Sequence, residues 1–115
     1  MQSQSVQDNA HSEVMLPAER MEEVRDMYLT DDFKNPLASP LFGNFKNAPP
    51  VFLCVGTKEI LRDDTLAMAA KLRAQNVPVT LEILENGPHV WPFFHGRLPE
   101  ADETLKKVKQ FLAPA

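Results

Sequence analysis

The feature that most constrains this chain is a pair of apolar runs of strand length, "VFLCVG" (51–56) and "VPVTLEIL" (77–84), with a single helical stretch between them. The first follows Pro49-Pro50 and ends in glycine, the pattern of a strand buried on both faces in a parallel sheet. The second is rich in β-branched residues, and Asn86-Gly87 closes it. Between them, from about Arg62 to Gln75, Met68, Ala69 and Leu72 form an inward stripe, while Asp63 and Asp64 supply capping and N-terminal negative charge. A last helix begins at Pro99. It carries Ala101, Leu105, Val108 and Leu112 at helical spacing, with Glu100, Asp102 and Glu103 early and lysines late, as the helix dipole favours. Strand, helix, strand, helix with short connections predicts an α/β fold: a βαβα unit of two parallel strands with flanking helices and a right-handed crossover.

The part before the first strand is less regular. Residues 1–13 are rich in Gln, Ser, Asn and Asp without periodicity, and read as a polar loop or disordered start to a domain spanning 14–115. In "PAERMEEVRDMYL" (17–29), Met21, Val24 and Tyr28 recur at helical spacing and Pro17 suits a first turn, so a short amphipathic helix is expected. Pro36, Pro40, Pro49 and Pro50, with Gly43, then forbid long regular structure. Phe33, Leu37, Leu41, Phe42 and Phe45 nevertheless imply that this Pro-rich segment packs on something.

At 115 residues the chain is one small domain or part of one, with 43% hydrophobic and 24% charged residues, so it can bury a core. Its net charge of −4 comes without a basic cluster, which argues against nucleic acid as a partner. No run approaches the ~20 apolar residues a membrane helix needs, and the polar N-terminus does not resemble a secretory leader. The lone Cys54, inside an apolar run, is expected to be a buried structural thiol; a reducing, cytoplasmic home fits.

In open parallel sheets, ligands meet the carboxyl ends of the strands. After the first strand stands "GTKEILRDD", with Glu59, Asp63 and Asp64; after the second, "ENGPHVW", with His89. Neighbouring strands bring both loops to one sheet edge, so an acid and an imidazole come within reach of each other. That pair is the acid and base half of a hydrolytic triad, in the chain order of α/β-hydrolases. On its flanks alone, His89 reads first as a solvent-edge or core histidine and only second as a catalytic base. The first turn's single glycine and three acids would repel a phosphate, so nucleotide binding finds no support. His89, His95 and Glu85 lack the short spacings of a zinc site, and His95 reads as a surface contact.

The stretches "NPLASPLF", "APPVFLCVGTKEILRDDTLAMAAKLRAQNVPVTLEI" and "GPHVWPFFHGRLPEADETLKKVKQFL" resemble the C-terminal third of hormone-sensitive-lipase-like α/β-hydrolases, carboxylesterases related to arylacetamide deacetylase. The likeness covers roughly residues 12 to 112. It implies that Glu59, first residue of the motif "EILRDD", is the triad acid, with Asp63 the alternative and Asp64 a helix cap. It likewise implies that His89 is the triad histidine. Trp91, Phe93 and Phe94 read as core and rim packing, with Val90 or Trp91 the candidates to line a substrate pocket.

The resemblance also shows what this sequence does not contain. None of Gly43, Gly56, Gly87 and Gly96 flanks a serine in a Gly-x-Ser-x-Gly elbow, and no His-Gly-Gly run builds an oxyanion hole. Both lie upstream in family members, so the chain is expected to be a fragment of a serine esterase that is inactive alone and needs no cofactor or metal. The substrate implied for the complete enzyme is a small carboxylic ester. Two alternatives stand beside this: a non-catalytic remnant that binds another protein, and one half of a split hydrolase completed in trans. Partners are then a second copy of the chain or an N-terminal hydrolase chain.

Overall fold

A computed structural model describes residues 3–29 and 32–114. Its centre is a parallel pair, β1 (Val51–Gly56) and β2 (Val79–Leu84), in register from Val51 opposite Val79 to Gly56 opposite Leu84. Parallel strands cannot be joined by a tight hairpin, and α3 (Arg62–Ala74) makes the crossover while packing on both strands. Ala69 and Leu72 from its inward stripe are buried, as is Val55 of β1. The final helix, α4 (Pro99–Leu112), covers the sheet face that carries Phe52. There the Phe52 and Phe111 rings meet edge to face at 5.5 Å, and Lys107 pairs with Glu82. The two strands and two helices stand where the periodicity expects them.

Ahead of this unit, a 3-10 turn (Ala18–Arg20) leads into α2 (Met21–Tyr28), and a second 3-10 turn (Pro40–Phe42) breaks the Pro-rich segment. That segment docks on the C-terminal end of α3, where the Phe45 N–H donates to Oε1 of Gln75 at 2.6 Å. The expected apolar stripe of α2 finds no partner: Val24 is 43% exposed and Tyr28 72%. Its helical period is real, but the surface it would bury against is absent from the described residues.

Three expectations need correction. Residues 3–13 are not a frayed start: α1 (Gln4–Asp8) is a helical turn, and Ser5 and Asn9 are buried; Met1 and Gln2 lie outside the described residues. Their order comes from hydrogen bonds to distant backbone, which leave no periodic signal in sequence. Cys54 is exposed, not buried. An apolar run implies cover on both faces, but among the described residues β1 pairs with β2 alone and Cys54 is left exposed. Finally, neither aspartate caps α3: its N-cap is Leu61, which makes no side-chain cap bond, and Asp63 and Asp64 sit within its first turn.

Candidate functional site

Both loops at the carboxyl ends of the strands are short, and glycine lets them approach. A Cβ on Gly56 would lie 1.9 Å from the carbonyl oxygen of Gly87, so only glycine permits this contact. The contact is extended by the Thr57 N–H donating to Leu84 O at 3.0 Å and the Asn86 N–H donating to Oγ1 of Thr57 at 2.8 Å. Asn86 itself takes the left-handed conformation (φ 58°) that asparagine tolerates, turning the chain out of β2.

This zipper brings Glu59 and His89 together. Oε1 of Glu59 lies 2.6 Å from Nδ1 of His89, and Oε2 accepts the Gly56 N–H at 2.5 Å. The Glu59 side chain is 4% exposed and that of His89 25%, so the acid is sealed beneath an imidazole that still meets solvent. A carboxylate only accepts hydrogen bonds, so the proton between them belongs on Nδ1; the neutral ring then carries its lone pair on Nε2. An imidazole held this way can take a proton at Nε2 and return it, while the carboxylate stabilises the cation formed in between.

The residue after the histidine is strained. Val90 is half-buried with φ 51°, a left-handed conformation that β-branched residues rarely adopt and that costs about 1–3 kcal/mol. It leads into a 3-10 turn (Trp91–Phe94). Trp91, one of two candidates to line a pocket, is fully buried and donates from Nε1 to Oγ1 of Thr104 in α4 at 3.0 Å. It anchors the histidine loop from below rather than facing a substrate; Val90, Phe93 and Phe94 remain nearer the surface.

Asp63, the alternative acid, points elsewhere. Its carboxylate accepts from Nε of Arg62 at 2.9 Å and from the Ser5 N–H at 2.8 Å. The Arg62 guanidinium, helped by that N–H, holds the Asp63 carboxyl below the usual carboxylate range. Asp64 is shifted the opposite way, upward, by desolvation and by the neighbouring Asp63 charge. Among the described residues, no serine hydroxyl is hydrogen-bonded to His89, His95 is exposed, and no three His, Cys, Asp or Glu side chains are arranged to hold a metal. A cleft of about 960 Å³ between α1, α2, the Pro-rich segment and α3 is lined by neither Glu59 nor His89.

What the sequence did not single out is the support of the acid turn. Ser5, Asn9, Ser12 and Glu13 bind its backbone from the outside. Their only sequence signal is a cluster of small polar side chains, which equally suits a solvated tail.

Comparison with known proteins places this geometry among relatives. A family model described as alpha/beta hydrolase fold matches residues 1–93. An acetyl-hydrolase of Streptomyces hygroscopicus is 33% identical over 104 residues, covering 90% of this chain and 35% of that protein. An esterase of Acinetobacter venetianus is 31% identical over 111 residues, covering 95% and 37%. Among solved structures, an esterase from the bacterial hormone-sensitive lipase family superposes with a TM-score of 0.87 at 33% identity, over 94% of this chain and 37% of that one. The esterase EstE5, in a crystal soaked with p-nitrophenyl butyrate, gives 0.83 at 35% identity, over 95% and 37%. The chain thus spans little more than a third of the length of the proteins it matches.

Proposed function

The chain belongs to the hormone-sensitive-lipase-like α/β-hydrolases, of which it is a C-terminal part, and from that premise we propose that it supplies the acid and the general base of a serine carboxylic ester hydrolase. The observation that carries this reading is the 2.6 Å contact between Oε1 of Glu59 and Nδ1 of His89 at the carboxyl edge of the sheet. In the complete enzyme, Nε2 of His89 takes the proton of a serine hydroxyl as it attacks the ester carbonyl, then delivers it to the departing alcohol. Glu59 fixes the tautomer and stabilises the imidazolium. Water repeats the sequence on the acyl-enzyme. The 115 residues contain neither a Gly-x-Ser-x-Gly elbow nor a His-Gly-Gly run, so this chain alone has no esterase activity.

The substrate we assign is a small carboxylic ester, with Val90 beside the base as a lining residue. The esterase soaked with p-nitrophenyl butyrate makes an aryl butyrate the natural probe. A reducing, cytoplasmic setting goes with this reading, since the one cysteine has no partner within the chain. No described helix is long and apolar enough to cross a membrane.

The test is complementation: this chain is mixed with an N-terminal hydrolase segment carrying the serine elbow and oxyanion loop, and p-nitrophenyl butyrate hydrolysis is followed. Activity above either part alone, lost with His89→Ala, supports the reading. A reconstituted, stable complex whose hydrolysis is indifferent to His89→Ala rejects it. A second reading, a non-catalytic module that binds protein or a second copy of itself, draws on the exposed apolar side chains Met27, Tyr28 and Leu37. It is favoured if the chain forms a stable complex that never turns over ester.

A further inference from the structure

The acid turn, residues 57–61, lies outside the regular strands and helices, so its backbone polar groups need partners from elsewhere. One short segment provides them. Nδ2 of Asn9 donates to both Thr57 O, at 2.9 Å, and Glu59 O, at 2.7 Å. The Ser5 hydroxyl donates to Ile60 O at 2.6 Å and accepts the Asp63 N–H at 3.1 Å. Ser12 donates to Lys58 O at 3.3 Å, and Oε2 of Glu13 accepts the Ile60 N–H at 3.2 Å. Four consecutive carbonyls, Thr57 through Ile60, are thereby bound by residues roughly fifty positions earlier in the chain. Of the side chains that do this, Ser5 is 0% and Asn9 6% exposed. Polar groups buried to that degree are retained where every bond is satisfied, and each fixes geometry as well as energy.

We propose that Ser5 and Asn9 are positioning residues for Glu59, clamping the acid turn so that its carboxylate meets Nδ1 of His89; this rests on the reading of Glu59 and His89 as an acid and base pair. The turn is held from two sides. The histidine loop fixes one side through the Gly56 and Gly87 contact, and the N-terminal turn fixes the other. Glu59 leaves little slack between them, because both carboxylate oxygens are already committed, to His89 and to the Gly56 N–H. Removing the outer clamp takes the side-chain donors from the Thr57 and Ile60 carbonyls and leaves the Glu59 carbonyl only the 3.3 Å bond from the Arg62 N–H, so the turn must shift to reach water. A displacement of about 1 Å is enough to break a hydrogen bond of this length. The structural role and the chemical role are therefore the same bonds, acting at the backbone of the acid itself.

The experiment is long-range proton–nitrogen NMR of the ¹⁵N-labelled full chain at alkaline pH, reading the tautomer of His89 and any low-field Nδ1 proton. The intact chain is expected to show the Nδ1–H form. Glu59→Gln is expected to abolish the low-field signal; if it leaves the spectrum unchanged, the acid and base pairing itself fails. Asn9→Ala and Ser5→Ala are expected to lower the Nδ1–H population several-fold while the amide signals of β1 and β2 persist. Ser12→Ala, which removes only long bonds of 3.3–3.4 Å to Lys58 O and to Asn9, is expected to leave it intact. Strand signals and the Nδ1–H form both surviving in Asn9→Ala and Ser5→Ala, with Glu59→Gln still effective, would overturn the clamp and spare the pair. Should Asn9→Ala lose the strands, Ser5→Ala, which removes a single oxygen, decides the question.

Discussion

Gly56 shows how one residue couples Glu59 to His89. It donates its N–H to Glu59, and its missing side chain admits the Gly87 carbonyl that carries the histidine loop. Gly56→Ala forces those loops apart and is expected to destabilise the chain by on the order of 3 kcal/mol, read as a lowered urea midpoint, and to separate Glu59 from His89. Asp63 acts on stability through pH. Arg62 first, and the Ser5 N–H with it, depress its folded-state carboxyl. Its stabilisation is thus present in full above the ordinary carboxylate range and is lost as pH falls through the depressed value. Asp63→Asn is expected to flatten the acid limb of a melting-temperature profile; an unchanged limb would count against the assignment. At this scale the sequence was partly legible. "EILRDD" and "GPHVW" mark Glu59 and His89 because a sheet edge brings strand-end loops together. The core packing of Trp91 was legible too, whereas the exposure of Cys54 was hidden, since burial depends on which neighbours a strand acquires.

Elements differ in how much of their stability is their own. β1, α3, β2 and α4 announce themselves through apolar period because each buries a face against another member of the unit. The helical turn α1 has no such face; it forms because Ser5 and Asn9 find carbonyl and amide partners across the chain, and no local pattern reports that. The 3-10 turn after His89 is intermediate. Its strained Val90 is held in place by the buried Trp91 and the Thr104 hydroxyl beneath it. Trp91→Ala is expected to cost about 3–5 kcal/mol through the cavity it leaves. Trp91→Phe retains most of the packing and loses the hydrogen bond, about 1 kcal/mol. Chemical denaturation of both variants separates the two contributions. A Trp91→Ala loss no larger than that of Trp91→Phe would mean the indole ring is not the anchor.

At the scale of the whole molecule, the sheet has only two strands among the described residues, and β1 pairs along one edge. Met27 is 73% exposed and Leu37 93%, more apolar surface than a settled monomer usually shows. Relatives nearly three times as long place further chain beyond this portion, and a complementing hydrolase segment would bury surface of this kind. Cys54 offers a direct probe, being exposed on β1 and the one thiol in the sequence. Partial desolvation, followed by the charges of Glu59 and Glu82, pushes its thiol above the usual range, so alkylation is best followed at alkaline pH where thiolate forms. In the isolated chain a maleimide is expected to reach Cys54 readily. With a complementing N-terminal segment docked along β1, the rate is expected to fall by about tenfold or more, because protection tracks burial of the strand. Reconstituted esterase activity with Cys54 still fully reactive would place the missing surface somewhere other than the open side of β1. Protection without activity would mean that the strand edge is covered but the serine is not brought to His89.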